Sequence, residues 1–141
     1  MVRSTINKFT PEQWVSGISW FQVPARVAYH TVECLDAYFW VDSGGEFKWG
    51  YRFGTPGWEL SDREQPTQEE LLAYLADIEA KIVQHFAPIE DADLVTPHNE
   101  QRKHAKTRLG HHVYALRHTM HHHGALTLLS IHHGNEGGSW A

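Results

Sequence analysis

Leu71, Leu72, Leu75, Ile78, Ile82 and Phe86 follow one another at steps of three and four, with polar residues between them. That spacing is one face of an α-helix. The run opens on a capping box, Thr67-Gln68-Glu69-Glu70, placed after Pro66, and Pro88 stops it. A second run extends from Pro24 to about Val41 and carries Val27, Ala28, Cys34, Leu35, Ala37, Tyr38, Phe39 and Trp40 before Asp42-Ser43-Gly44-Gly45 ends it. So many apolar positions predict a helix buried on more than one side. A third long helix is predicted from Glu100 or Lys106 to His133, ended by Gly134. Near the start, Thr10-Pro11-Glu12-Gln13 is another capping box, but Gly17 follows soon after, so only a short helix over Pro11–Ser16 is expected.

Between these runs the chain is irregular. The stretch FKWGYRFGTPGWELSDREQP, ending at Pro66, is rich in glycine, proline and aromatics and holds no sustained period. It reads as a long connection, and loops of that length in a compact domain commonly cover a mouth or carry function. Ile89 to Asp93 reads as an acidic connection, and Asn135 to Ala141 as a tail with Trp140 as its candidate anchor. No alternating pattern of strand length is present. The expected architecture is one all-α domain over 1–141, most simply an antiparallel helical bundle, with 1–23 as a short N-terminal segment and 135–141 as a tail.

Composition narrows the function. A net charge of -5 argues against a nucleic-acid partner, whose phosphates attract a basic face. No apolar run is long enough to span a bilayer, and no signal-peptide pattern opens the chain. The single cysteine, Cys34, excludes an intrachain disulfide framework, so a reducing cytoplasm is the expected compartment. The 12 histidines and 6 tryptophans are the unusual feature, the first inviting metal and the second a generous core or an aromatic pocket.

A helix advances about 100° per residue. With His111 at zero, His118 falls at roughly 340° and His122 at roughly 20°. Ala115, Ala125, Leu126 and Leu129 share that direction, so His118 and His122 lie one turn apart on an apolar stripe. His121 and His123 diverge toward its edges or solvent. On the earlier helix His30 lies with Val27, Cys34, Ala37 and Val41. Imidazoles from two helices, all facing inward, are what a metal site in a bundle requires. Each admits a plainer interpretation as hydrogen-bonded core. His111 is a candidate fourth ligand or supporting group, and Cys34 a candidate ligand, reactive thiol or small buried hydrophobe. His111, Glu33 and Tyr114 are candidate bases. Trp49, Tyr51, Phe53 and Trp58 either shape a pocket mouth or pack over the bundle end. The residue after His118 is Thr119, so the HExxH pattern of zinc proteases is absent.

The segment RHTMHHHGAL, with His118, His121, His122 and Gly124, resembles the closing motif of the DinB-like superfamily, often written HEIHHRGQ. VAYHTVECLDAYF around His30 is similar to that family's earlier ligand helix, and the aromatic connection followed by a capped helix also fits. The resemblance covers about Phe9 to Gly134 and is specific at the histidine motifs. It implies a four-helix bundle binding a divalent ion (zinc, nickel or iron) through His30, His118 and His122. It further implies small-molecule chemistry, such as transfer of a low-molecular-weight thiol like bacillithiol or mycothiol to an electrophile, with no DNA binding. The alternative is a non-catalytic metal- or ligand-binding bundle. Two departures stand out. His123 and Ala125 replace the polar pair that flanks the family's glycine, and the long first helix is shortened or missing. A bundle lacking one wall exposes apolar surface, so a homodimer is expected to cover it; an N-terminally incomplete chain is the other explanation.

Overall fold

A computed structural model describes residues 1–40, 45–59, 65–97 and 105–138. Six helices are present among them: α1 (Val2–Ile6), α2 (Pro11–Trp14), α3 (Pro24–Trp40), α4 (Gln68–Phe86), α5 (Asp91–Leu94) and α6 (Arg108–His132). A 3-10 turn, Trp20–Gln22, leads into α3, and no strand occurs among the described residues. The all-α expectation holds. Both capping boxes form: Thr10 accepts from the Gln13 amide and Thr67 from the Glu70 amide, with the Gln13 and Glu70 side chains returning the bond. Gly134 closes α6 at a φ of 79°, with the Asn135 amide reaching back to the Ser130 carbonyl. The expected anchor Trp140 and the first three residues of the stop Asp42-Ser43-Gly44-Gly45 lie outside the described residues.

The second run is expected to be buried on more than one side, and no residue of α3 is exposed. This helix packs against α6, α4, the 3-10 turn and both N-terminal helices. Its contacts fix the direction of its neighbours. His30 meets His118 and His122, while Tyr38 meets His111 and Tyr114, so α3 and α6 are antiparallel. Against α4 the residue order is the same in both helices: Asp36 meets Tyr74, and Phe39 meets His85 and Phe86. Those two helices run in parallel. A simple antiparallel bundle did not include this, and the long connection after α3 is what carries the chain back to start α4 at the same end.

Two short helices escape sequence reading. α5 lies in the supposed acidic connection, where Glu90 and Asp93 form a reciprocal cap. α1 is five residues long and has no side-chain cap, so periodicity could not reveal it. It is nonetheless tied in, with Thr5 and Ile6 fully buried, Arg3 paired to Glu79, and the Gln68 side chain donating to the carbonyls of Ile6 and Phe9. α1 therefore covers only the first half of α4. The predicted apolar period of α4 continues past it, yet burial stops: Leu71, Leu75 and Ile78 are buried, whereas Ile82 is half-buried and Phe86 exposed. The uncovered end forms an apolar cleft of about 430 Å³ between α3, α4 and α6, lined by Leu35, Phe39, Ile82, Phe86, Val113 and Leu116 among others.

The aromatic connection is fastened to α3 by two buried carboxylates. Glu33 accepts from the Gly50 amide at 2.6 Å, the Gly57 amide at 2.9 Å and the Tyr29 hydroxyl at 3.1 Å. Asp36 accepts from Tyr51 at 2.7 Å and Tyr74 at 2.6 Å, and it pairs with Lys81. Glu33→Ala would leave the Gly50 and Gly57 amides without their acceptor, each costing on the order of 1 kcal/mol or more when buried, while the Tyr29 hydroxyl keeps the Thr55 carbonyl. We expect it to destabilise the fold by roughly 2 kcal/mol, read from the midpoint of chemical unfolding; an unchanged midpoint would refute this account of the loop.

Candidate metal centre

α3 and α6 pack against each other, and the contact gathers His30 and Cys34 from α3 with His118 and His122 from α6. Each pair is one helical turn apart, so both members project to the same side. His118 and His122 approach through their Nε2 atoms at 3.1 Å. The His30 ring centroid lies 4.7 Å from that of His122 and 5.8 Å from that of His118. Cys34 Sγ is 3.6 Å from His30 Nε2 and 3.7 Å from His30 Nδ1. Ligand atoms of His30, Cys34 and His118 all lie within 4.8 Å of one another, a separation at which they could hold a metal ion.

The electrostatics suit a cation. Burial, then the nearby His118, brings the His30 pKa down to about 4. Burial does the same for His122, again to about 4, with His30, His118 and His121 adding repulsion. His118 is lowered by burial and by the charges of His121 and Arg117. Imidazoles held neutral in this way keep the lone pairs that a metal needs. The His118–His122 contact agrees, since two protonated rings would have no acceptor between them.

Aromatic rings surround the cluster. Trp20 packs 5.3 Å and Trp58 6.3 Å from His30, while Tyr38 packs 5.7 Å from His118 and Tyr114 stacks on it at 6.2 Å. Trp58 is positioned by Gly57, where an added Cβ would come within 3.1 Å of the His30 backbone. The expected choice between mouth and packing is thereby narrowed: Trp49 and Trp58 touch each other beside His30, whereas Phe53 packs on Tyr29 and Tyr74. Trp20 was missed because a three-residue turn has no periodicity, although a Trp-Phe pair just before Pro24 was visible in the sequence.

Other candidates fall elsewhere. His111 is buried but donates from Nε2 to the Tyr38 carbonyl at 2.8 Å, so it ties α6 to the end of α3 two turns from His118. Glu33 is not a base for this site: its oxygens are taken by the loop amides and Tyr29, and burial raises its pKa despite those bonds. His121 is exposed, as the wheel placed it. His123 is not; it is 6% exposed and its Nε2 meets Thr5 Oγ1 at 3.1 Å, because the unforeseen α1 covers that side. A different pair, His85 and His112, approaches at 3.0 Å through Nε2 atoms beside Phe39 and Phe86. Phe39, Phe86 and His112 also line the apolar cleft, whose lining includes neither His30 nor His118.

Comparison with known protein families, with curated proteins and with solved structures finds no match. The chemistry of the cluster is therefore the basis for reading function.

The lowered histidines imply a pH dependence. Their ordinary pKa is 6.5 and the folded value for His30 and His122 is about 4, so between these limits the unfolded chain binds more protons. Metal-free protein should be most stable above pH 6.5, lose stability as pH falls through that window, and level off near 4. Unfolding by denaturant at a series of pH values measures this. The slope should flatten in a His30→Ala, His122→Ala double variant, and an equal slope in that variant would count against buried neutral rings.

Proposed function

We propose that this chain is a metal-dependent enzyme of DinB-like type, acting on a small electrophilic molecule, with His30, His118 and His122 holding a divalent ion. The observation that supports it best is the convergence of a one-turn histidine pair on α6 with an inward histidine on α3, all three held neutral. The donor set fits: imidazole nitrogens accept zinc, nickel or iron. Such an ion, when bound, acidifies a thiol or water coordinated to it, bringing water on zinc to a pKa of about 7.

The protein's own groups do the rest. Three neutral ligands leave the positive charge of the site undiminished. Tyr114 and Tyr38 fix the ring of His118 from two sides, and Trp20 and Trp58 wall the side of His30. His118 remains partly exposed, which gives a small molecule a path to the cluster. The substrate class in this reading is a carbon electrophile bearing a leaving group that receives a low-molecular-weight thiol: the thiol S–H and the carbon–leaving-group bond break, a carbon–sulfur bond forms, and the proton and the leaving-group anion are released. A second reading, an ion that only fastens α3 to α6, is favoured by the buried Cys34 beside His30, because four protein donors describe a structural site. The same proposal includes a homodimer covering the apolar cleft, where Val113 and Leu116 are 54% and 62% exposed.

Protein purified without an affinity tag should contain about one equivalent of transition metal by elemental analysis. His118→Ala and His122→Ala should each weaken binding by at least about a hundredfold, beyond the 10–100-fold typical of losing a supporting outer group. Thiol consumption in the presence of electrophiles should fall with the metal content; full metal binding without any thiol chemistry would favour the fastening role. Sedimentation at micromolar concentration should give a dimer that Leu116→Glu converts to monomer. A wild-type monomer there would remove the second copy from this reading.

A further inference from the structure

Cys34 is buried, is the only cysteine of the chain, and sits one turn after His30 on the same face of α3. Its sulfur is held against the metal-ligating cluster rather than against apolar neighbours alone. A tetrahedral ion with metal–sulfur bonds of about 2.3 Å and metal–nitrogen bonds of about 2.0–2.1 Å separates sulfur from nitrogen by about 3.6 Å. Cys34 Sγ stands 3.6 Å from His30 Nε2. The corresponding nitrogen–nitrogen edge is about 3.3 Å, and His118 and His122 stand at 3.1 Å. Two edges of the cluster, one sulfur–nitrogen and one nitrogen–nitrogen, thus have the lengths of a tetrahedral site, and the ligand atoms of His30, Cys34 and His118 lie within 4.8 Å of one another. Charge points the same way. The cluster of His30, Cys34 and His118 contains no carboxylate. The buried carboxylates of α3, Glu33 and Asp36, are turned to the loop and to α4. A dication among neutral rings in a half-buried site lacks a compensating anion, and an uncompensated buried charge is costly.

We infer that Cys34 is the fourth protein ligand of this centre, bound as a thiolate, making a three-imidazole, one-thiolate site that selects a thiophilic ion such as zinc. The inference rests on the proposed metal-holding role of His30, His118 and His122, and adds to it a ligand that the three-histidine pattern does not contain. Soft thiolate favours zinc over the hard oxygen-seeking ions. It also changes what the resting site offers: all four tetrahedral positions are filled by protein, so an outside thiol must either add as a fifth ligand or replace Cys34.

Cobalt(II) substitution tests this on the intact chain. With one cysteine in the sequence, any thiolate-to-cobalt charge-transfer band in the near ultraviolet must come from Cys34. The band should appear in wild-type protein at one equivalent of cobalt and vanish in Cys34→Ala, while that variant still binds cobalt with reduced affinity. X-ray absorption of the zinc-loaded wild type should find one sulfur at about 2.3 Å among nitrogen scatterers, a readout that does not depend on the variant folding. Cobalt or zinc bound with no sulfur in either spectrum would overturn the Cys34 assignment and leave the three-histidine reading intact. Failure of the wild type to bind either ion would overturn both.

Discussion

Two carboxylates buried in the middle of α3 hold this structure in its shape. A helix surrounded on all sides cannot turn its acidic residues to water, so Glu33 and Asp36 must be satisfied by protein, and unsatisfied they would cost several kcal/mol. Glu33 draws in two glycine amides of the aromatic connection, and Asp36 draws in Tyr51 from that connection and Tyr74 and Lys81 from α4. The Tyr51 hydroxyl pays part of that cost, its pKa pushed up to about 12 by burial and by its bond to Asp36. Cys34 follows His30 by one turn and precedes Asp36 by two residues, so the groups that anchor the loop and the groups that face the histidine cluster share a rigid rod.

The consequence reaches the site. Because Gly57 is drawn down to Glu33, its backbone lies directly on the His30 backbone and Trp58 follows it to the histidine ring. Gly50 meets the same demand with a φ of 77°, a conformation that a side chain at that position would resist. The loop is thus a fixed wall of the cluster, and its conformation is set from beneath by buried hydrogen bonds.

The molecule also separates two surfaces that chemistry tends to combine. The histidine cluster is polar, compact and partly open at His118, while the large cleft is almost wholly apolar and lies around the helices beside the His85–His112 pair. Among the described residues α1 packs on the part of α4 that includes Leu71, and the end near Phe86 is less buried, with Ile82 half-buried and Phe86 exposed.

Much of this was legible in the chain. Helical spacing and reciprocal caps marked α3, α4 and α6, because both signals depend on residues three and four apart and on nothing distant. The same local rule put His118 with His122, and His30 with Cys34, on common faces. No local rule could say that these two faces meet, nor that α4 runs parallel to α3, because both depend on where a long connection returns. The burial of His123 beneath Thr5 and the commitment of Glu33 to Gly50 and Gly57 were hidden for the same reason. The sequence determined the three long helices and which of their residues share a face; the packing alone decided which faces touch, since partners across 17 to 118 positions of chain have no common period to betray them.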